Sequence, residues 1–271
     1  MKKSINSIAI GSFDGIHLAH QALISRADGV VIIERNSGYL TAGYRRSLYI
    51  DKPCYFYHLD RLKSLTPKLF VDRLKEDFPQ LREIIVGYDF YFGKNREGNS
   101  QVLERLFDGK ITVIDEITLD SISIHSRTIK KYLIDTNIEM VNRLLGRAYN
   151  IDGVVIKGQG VGKKSLVATL NLSTQGYQLP ASGVYATYTT IDGKRLESIS
   201  FIGHRITTDG SFAVETHILD CDIGEVCGRV EIEFISFIRE NRKFDSLKAL
   251  KGAIELDLVE AREILEGLVS A

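Results

Sequence analysis

Gly11-Ser12-Phe13-Asp14-Gly15-Ile16-His17-Leu18-Ala19-His20 follows the apolar run Ser7-Ile8-Ala9-Ile10 and leads into residues with helical spacing, His20 to Ala27. An apolar strand that ends in a glycine turn and opens a helix is the start of a parallel α/β unit, and such sheets bind ligands at that strand end. Free backbone N–H groups and the dipole at a helix start attract phosphate, and Gly11 and Gly15 let the backbone approach a ligand closely. His17 and His20 stand three apart and are expected on one helix face. Beside a triphosphate, two imidazoles would stabilise charge that builds on the α-phosphate and on the leaving pyrophosphate. That is the chemistry of nucleotidyl transfer, which needs donors and positive charge but no covalent nucleophile. The pair also reads as structural histidines, or as half of a metal site without a third ligand nearby.

Working outward, Gly29–Glu34, Cys54–Leu59, Glu83–Gly87 and Lys110–Asp115 read as further strands. Helical patterns lie between them, one opened by Thr66-Pro67 as N-cap and first helical position and one spanning Asn99–Phe107. This alternation predicts a parallel sheet covered by helices. Ser126–Leu145 reads as two short helices broken at Asp135-Thr136-Asn137 and ended by Gly146. Beyond Gly146 the segments are β-rich and separated by turns, with Asp192-Gly193 marking a tight hairpin, so a barrel or sandwich is expected. From Ser246, the expected N-cap, Leu247, Leu250, Ile254, Leu258, Ala261 and Leu265 form one apolar stripe of a terminal helix that closes the barrel. The division expected is residues 1–124, a helical junction at 125–146, and residues 147–271.

A chain of 271 residues suits two such domains. Lys plus Arg and Asp plus Glu each number 35, so there is no general attraction to nucleic acid or to acidic membranes, and any anion site must be local. Cys54, Cys221 and Cys227 lack CxxC spacing and read as reduced thiols of a cytoplasmic protein. The N-terminus has no signal-peptide pattern, and no apolar run reaches roughly 18 residues, so no membrane span is expected. Oligomeric state is not legible.

GSFDGIHLAH resembles the FDGxHxGH signature of the nucleotidylyltransferase superfamily, in the form found in prokaryotic bifunctional riboflavin kinase/FAD synthetases. Val86–Lys94 resembles that family's VGxDFxFGK, and His125–Lys130 its SSTxxR, with Ser126 kept and Lys130 in place of arginine. The resemblance implies nucleotide binding by Gly11, Ser12, Phe13, Asp14, Gly15, Ser126 and Lys130, catalysis by His17 and His20, and flavin binding by Asp89, Phe90 and Phe92.

In the second half, Gly158–Lys164 is by itself a weak phosphate signal and reads equally as a solvated turn. The stretch through Leu172 resembles the kinase motif ending GFPTANL, with Ala168 for proline. By resemblance Gly162, Thr169 and Asn171 bind nucleotide, and Thr169 and Asn171 hold Mg²⁺. Pro180–Ala186 resembles PxxGVYA, and Gly203–Thr207 takes the place of a GNxPT-like turn, with His204 and Ile206 departing from it. Glu215–Asp220 resembles ExHxLD, which implies Glu215 as general base; strand alternation alone makes it a solvent-facing residue. Phe234–Phe244 resembles FxxFIRxExKF, in which Arg239 either touches a ligand or pairs with a carboxylate.

The implied fold is α/β plus β: an N-terminal doubly wound Rossmann-like nucleotidyltransferase domain, and a C-terminal six-stranded antiparallel β-barrel with a terminal helix. The implied reactions convert riboflavin and ATP to FMN, then FMN and ATP to FAD and pyrophosphate, both with Mg²⁺. Two alternatives stay open: retention of one activity only, given Ala19, Lys130, Ala168, His204 and Ile206, or a non-catalytic flavin or nucleotide sensor.

Overall fold

Ser7 to Ile10 are all buried, as a strand covered on both faces requires. They form most of β1 (Ser7–Gly11), the centre of a sheet with β2 (Gly29–Glu34), β3 (Cys54–His58), β4 (Glu83–Gly87) and β5 (Lys110–Ile114). The order is β3-β2-β1-β4-β5 and every pairing is parallel. The computed structural model describes residues 4–35, 39–157, 168–206 and 210–269. The chain divides into two units, Met1–Thr128 and Ile129–Ala271.

In the first unit, Ile8, Ile10, Ile84 and Val86 pack against Phe70, Val71 and Leu74 of α3 (Pro67–Asp77) and Leu103 of α4 (Ser100–Leu106). On the opposite face Ala9, Val30, Ile32 and Ile85 meet Leu23 and Ile24 of α1 (Leu18–Ile24). A single turn of helix, α2 (Leu59–Leu62), follows β3. Thr66 caps α3 by accepting from the Leu69 N–H, with Pro67 at its first position, and Asn99 caps α4. The strand order reverses between β1 and β4. The carboxyl ends of strands at such a switch point are the place where ligands bind in open α/β sheets. A small hairpin, β6 (Thr118–Leu119) with β7 (Ile122–Ser123), went unread in the sequence; two residues per strand are too few to show a period.

α5 (Ser126–Ile134) begins just before the division between the units, and α6 (Ile138–Leu145) ends at Gly146, whose φ of 71° suits glycine. In the second unit β8 (Tyr149–Ile156), β9 (Leu170–Ser173), β10 (Gly183–Ile191), β11 (Lys194–His204), β12 (Phe212–Ile218) and β13 (Arg229–Glu240) close into a six-stranded barrel in the order β10-β11-β12-β9-β8-β13. Every pairing is antiparallel, and the pairing of β13 with β10 closes the sheet, which decides for a barrel over a sandwich. Asp192 and Gly193 both have positive φ, 48° and 78°, the requirement of the tight hairpin turn read from the sequence. Asn142 of α6 fastens that helix to the barrel: it donates to the Phe234 carbonyl (2.9 Å) and accepts from the Tyr149 N–H (2.7 Å).

One strand face buries Tyr149, Tyr185 and Phe234 together with a cluster of five hydroxyls: Thr187, Thr189, Ser198, Ser200 and Thr216. The other face of β10 meets α7 (Leu247–Val269) through Ala186, Tyr188, Ala261 and Leu265, so this helix lies along the outside of the barrel. Its buried row is Ala253, Asp257, Ala261 and Leu265, whereas Leu247, at the end of the expected stripe, is exposed. Asp257 is tolerated in that row because Arg239 of β13 donates two 2.7 Å hydrogen bonds to its carboxylate. Arg239 thus does pair with a carboxylate, one of the two readings given for it.

Candidate active sites

The loop after β1 turns within four residues: φ is 48° at Phe13, 93° at Gly15 and 43° at Ile16. Left-handed backbone at two non-glycine residues costs free energy and persists only where the surroundings hold it. Three anchors do so. The Phe13 and Ile16 side chains are buried in the core. A Cβ at Gly11 would lie 3.2 Å from the Phe13 ring, so glycine makes room for that anchor. Asp14 turns inward, and its carboxylate accepts from the N–H groups of Leu40 (2.7 Å) and Thr41 (3.2 Å). The Ser126 hydroxyl donates to the Asp14 carbonyl at 2.8 Å, which brings the third motif onto the first. Lys130 follows four residues later on α5.

Arg46, which the sequence reading did not single out, is wholly buried in this loop's support. It donates to the carbonyls of Ser12 (2.8 Å) and Gly43 (3.1 Å) and to the Glu34 carboxylate (3.0 Å), and lies 4.7 Å from the Tyr39 ring centre. Its only sequence signal is an arginine pair, Arg45-Arg46, and charged residues ordinarily stay at the surface.

His17 and His20 meet, though not as two members of one helix face. His17 is the N-cap of α1, with extended backbone (φ −70°, ψ 171°), and its Nδ1 accepts from the His20 N–H at 3.3 Å. The cap supplies an acceptor to an N–H that has no partner within the helix. The rings stack with centroids 3.5 Å apart and planes 19° from parallel, and the Phe13 ring lies edge-on to His20 at 5.2 Å. With Nδ1 accepting, the proton of a neutral His17 ring sits on Nε2.

The loop after β4 stands at the other side of the switch point. Asp89 is exposed, Phe90 is half-buried, and Phe92 is buried. Phe92 packs between Phe70 (5.1 Å) and Phe90 (5.5 Å), so its ring belongs to the core and supports Phe90. Beside them the Tyr88 hydroxyl bonds His125 Nε2 (2.9 Å) and Glu116 (3.1 Å), and His125 Nδ1 lies 3.9 Å from the Asp89 carboxylate. Hydrogen bonds from Ser123 and then Tyr88 hold the Glu116 carboxyl below the usual range. This polar rim was missed; its one signal was His125 at the first position of the third motif.

In the barrel, the β9–β12 register sets Asn171 directly opposite Glu215. Thr216, next along the strand, points into the hydroxyl cluster, so Glu215 and Asn171 face the other way. Glu215 is half-buried rather than fully solvated, with its side chain 20% exposed. Arg205 spans the pair. Its Nε and Nη2 donate to Glu215 Oε1 (3.1 and 2.8 Å), Nη2 also donates to Asn171 Oδ1 (2.5 Å), and Nη1 donates to the Ser211 hydroxyl (2.7 Å). His217 Nδ1 lies 2.7 Å from the Ala168 carbonyl, which ties the segment bearing Thr169 to β12. Asp220 pairs with Arg262 of α7 through bonds of 2.9 and 2.8 Å. Gly162, the rest of the Gly158–Lys164 run, and Thr207 lie outside the described residues.

A strand-order switch point with a strained, well-anchored loop after β1, together with a separate barrel bearing a carboxylate–amide pair, fits a two-unit nucleotide-dependent transferase. Family models agree in their order along the chain: one described as FAD synthetase matches residues 44–128, and one described as riboflavin kinase matches residues 145–265. The bifunctional riboflavin kinase/FMN adenylyltransferase of Pseudomonas fluorescens is 30% identical, over 94% of this chain and 91% of that one. Its namesakes in Listeria monocytogenes and Bacillus subtilis are 29% and 26% identical, over 95% and 94% of this chain and 92% and 90% of theirs. The chain belongs to the bifunctional riboflavin kinase/FMN adenylyltransferase family. A crystal structure described as a macrolide-efflux protein from Streptococcus pneumoniae shares the fold, with a TM-score of 0.83 at 22% identity over 96% of this chain and 95% of that one. Among the described residues no helix is long and apolar enough to cross a membrane.

Proposed function

We propose that this chain carries out both reactions of its family as a soluble cytoplasmic enzyme, with FMN adenylylation in residues 1–124 and riboflavin phosphorylation in residues 147–271, joined through 125–146. The observation that supports the division is that each unit brings candidate residues of its own together: the stacked His17–His20 pair after β1, and the Glu215–Asn171 cross-strand pair on the barrel.

In the first unit the strained turn at 11–16 presents backbone to the ATP phosphates, with Ser126 bracing that turn. His17 and His20 offer donors to the α-phosphate and the leaving pyrophosphate as charge builds there. Asp89 and Phe90 line the flavin side. In the barrel, Glu215 accepts the proton of the riboflavin 5′-hydroxyl as that oxygen attacks the γ-phosphate of ATP. The Asn171 amide oxygen and Thr169 hydroxyl are hard, neutral oxygen donors of the kind Mg²⁺ takes alongside phosphate. Mg²⁺ would supply charge neutralisation of the phosphate oxygens.

The test is a double dissociation on the full chain. Glu215→Gln should lower riboflavin phosphorylation by on the order of 10²–10⁴-fold, the usual contribution of a general base, and leave adenylylation of supplied FMN intact. His17→Ala should do the reverse. Equal losses of both activities in either variant would overturn the division.

A further inference from the structure

The barrel site carries a cation of its own. The Arg205 guanidinium is mostly buried, with 18% of its side chain exposed, and its donors reach Glu215 Oε1, Asn171 Oδ1 and Ser211 Oγ. Only Nη2 reaches Asn171, while Nε and Nη1 fasten the group to Glu215 and Ser211 independently. Asn171 Oδ1 is the amide atom able to face a metal, because the amide nitrogen is a donor and cannot ligate one. A guanidinium N–H at 2.5 Å and a divalent cation are two positive groups directed at one small oxygen, and like charges at such separation repel strongly.

We propose that Arg205 is a positioning residue that competes with the divalent cation for Asn171. Without nucleotide it holds Asn171 and Glu215 in register across β9 and β12. Binding of metal and nucleotide breaks the Nη2–Asn171 bond, and Arg205 stays moored through Nε to Glu215 and through Nη1 to Ser211. The inference rests on Asn171 being a metal ligand. It predicts two effects of opposite sign: removing Arg205 tightens metal binding, because a competitor is lost, and slows turnover, because Glu215 loses its tether. General loosening of the barrel would weaken both.

The experiment counts free Mn²⁺ by electron paramagnetic resonance in titrations of the full chain with ADP present. The proteins are the parent, Arg205→Gln, Asn171→Ala and the double variant, which share an unaltered N-terminal unit. Arg205→Gln should bind Mn²⁺ more tightly by on the order of tenfold, the equivalent of one charge-assisted hydrogen bond removed from the competing state. The same substitution should have almost no effect in the Asn171→Ala background. At saturating Mg²⁺ its kcat for riboflavin phosphorylation should fall while the metal requirement drops. Arg205→Lys keeps the charge without the fork and should show the same tightening to a smaller degree, which covers the case of a poorly folded glutamine variant. Unchanged or weaker Mn²⁺ binding in folded Arg205 variants, with Asn171→Ala still weakening it, overturns the competition alone. An Asn171→Ala variant that binds Mn²⁺ like the parent removes the metal assignment and the competition together.

Discussion

Replacing Arg46 with methionine tests how the adenylylation loop is held. Methionine fills much of the same volume with an adaptable apolar chain, so the loss is mainly one of donors. The Ser12 and Gly43 carbonyls each lose a hydrogen bond, and the Glu34 carboxylate loses its cation. Removing one partner of a buried ion pair costs about 3–5 kcal/mol. Glu34 is 19% exposed, so water compensates part of this and the lower end, about 3 kcal/mol, applies. With a urea dependence of ~2 kcal/mol per molar, the unfolding midpoint of the first unit should drop by about 1.5 M. Release of the Ser12 carbonyl also lets the backbone at 11–16 relax, and a misplacement of about 1 Å at a phosphate site can cost on the order of 100-fold in rate. The assay follows both activities of one preparation across a urea series. Adenylylation should be slow from the start and lost early, while riboflavin phosphorylation follows the parent curve. If both activities fall together, or neither changes, the reasoning about Arg46 is wrong.

Two further outcomes follow from the second unit. Thr216→Val keeps the shape but removes a hydroxyl bonded to Thr189 and Ser200; leaving those groups short of a partner should cost about 1–3 kcal/mol, visible as a lower melting temperature of the barrel. Asp220 is held below the usual aspartate range by the hydrogen bonds from Arg262. Its contribution is therefore complete above the ordinary pKa of about 3.9 and is lost as pH falls through the lower folded value. Melting of Asp220→Asn should fall below the parent at pH 7 and converge with it in acid; a gap that persists at low pH would refute this origin.

Most of the fold was legible because local patterns and tertiary demands agree. Ile8–Ile10 and Val30–Ile33 are apolar on both faces because helices cover both. Thr66-Pro67 starts a helix for capping reasons that act within one turn, and Asp192-Gly193 turns a hairpin because both residues take positive φ. What stayed hidden depends on partners distant in sequence. Arg46 meets Glu34 and Ser12 only once β1 and β2 pair, and Asp257 enters a buried row only because β13 delivers Arg239. β9 alternates as Leu-Asn-Leu-Ser but has only four residues, too few to stand out as a strand. His17 and His20 were placed together for the wrong local reason, since a cap and a helix face both bring positions three apart into contact. Motif resemblance pointed to Glu215 and Asn171, but their adjacency comes from barrel register, and Arg205 between them had no signal that spacing could supply.

The most direct test of the central claim is a chromatographic time course of the purified chain with ATP, Mg²⁺ and either riboflavin or FMN. The account predicts that riboflavin passes through FMN to FAD, with pyrophosphate released only in the second stage, and that supplied FMN enters at that stage. Flavin that binds but is not converted from either starting point would contradict it.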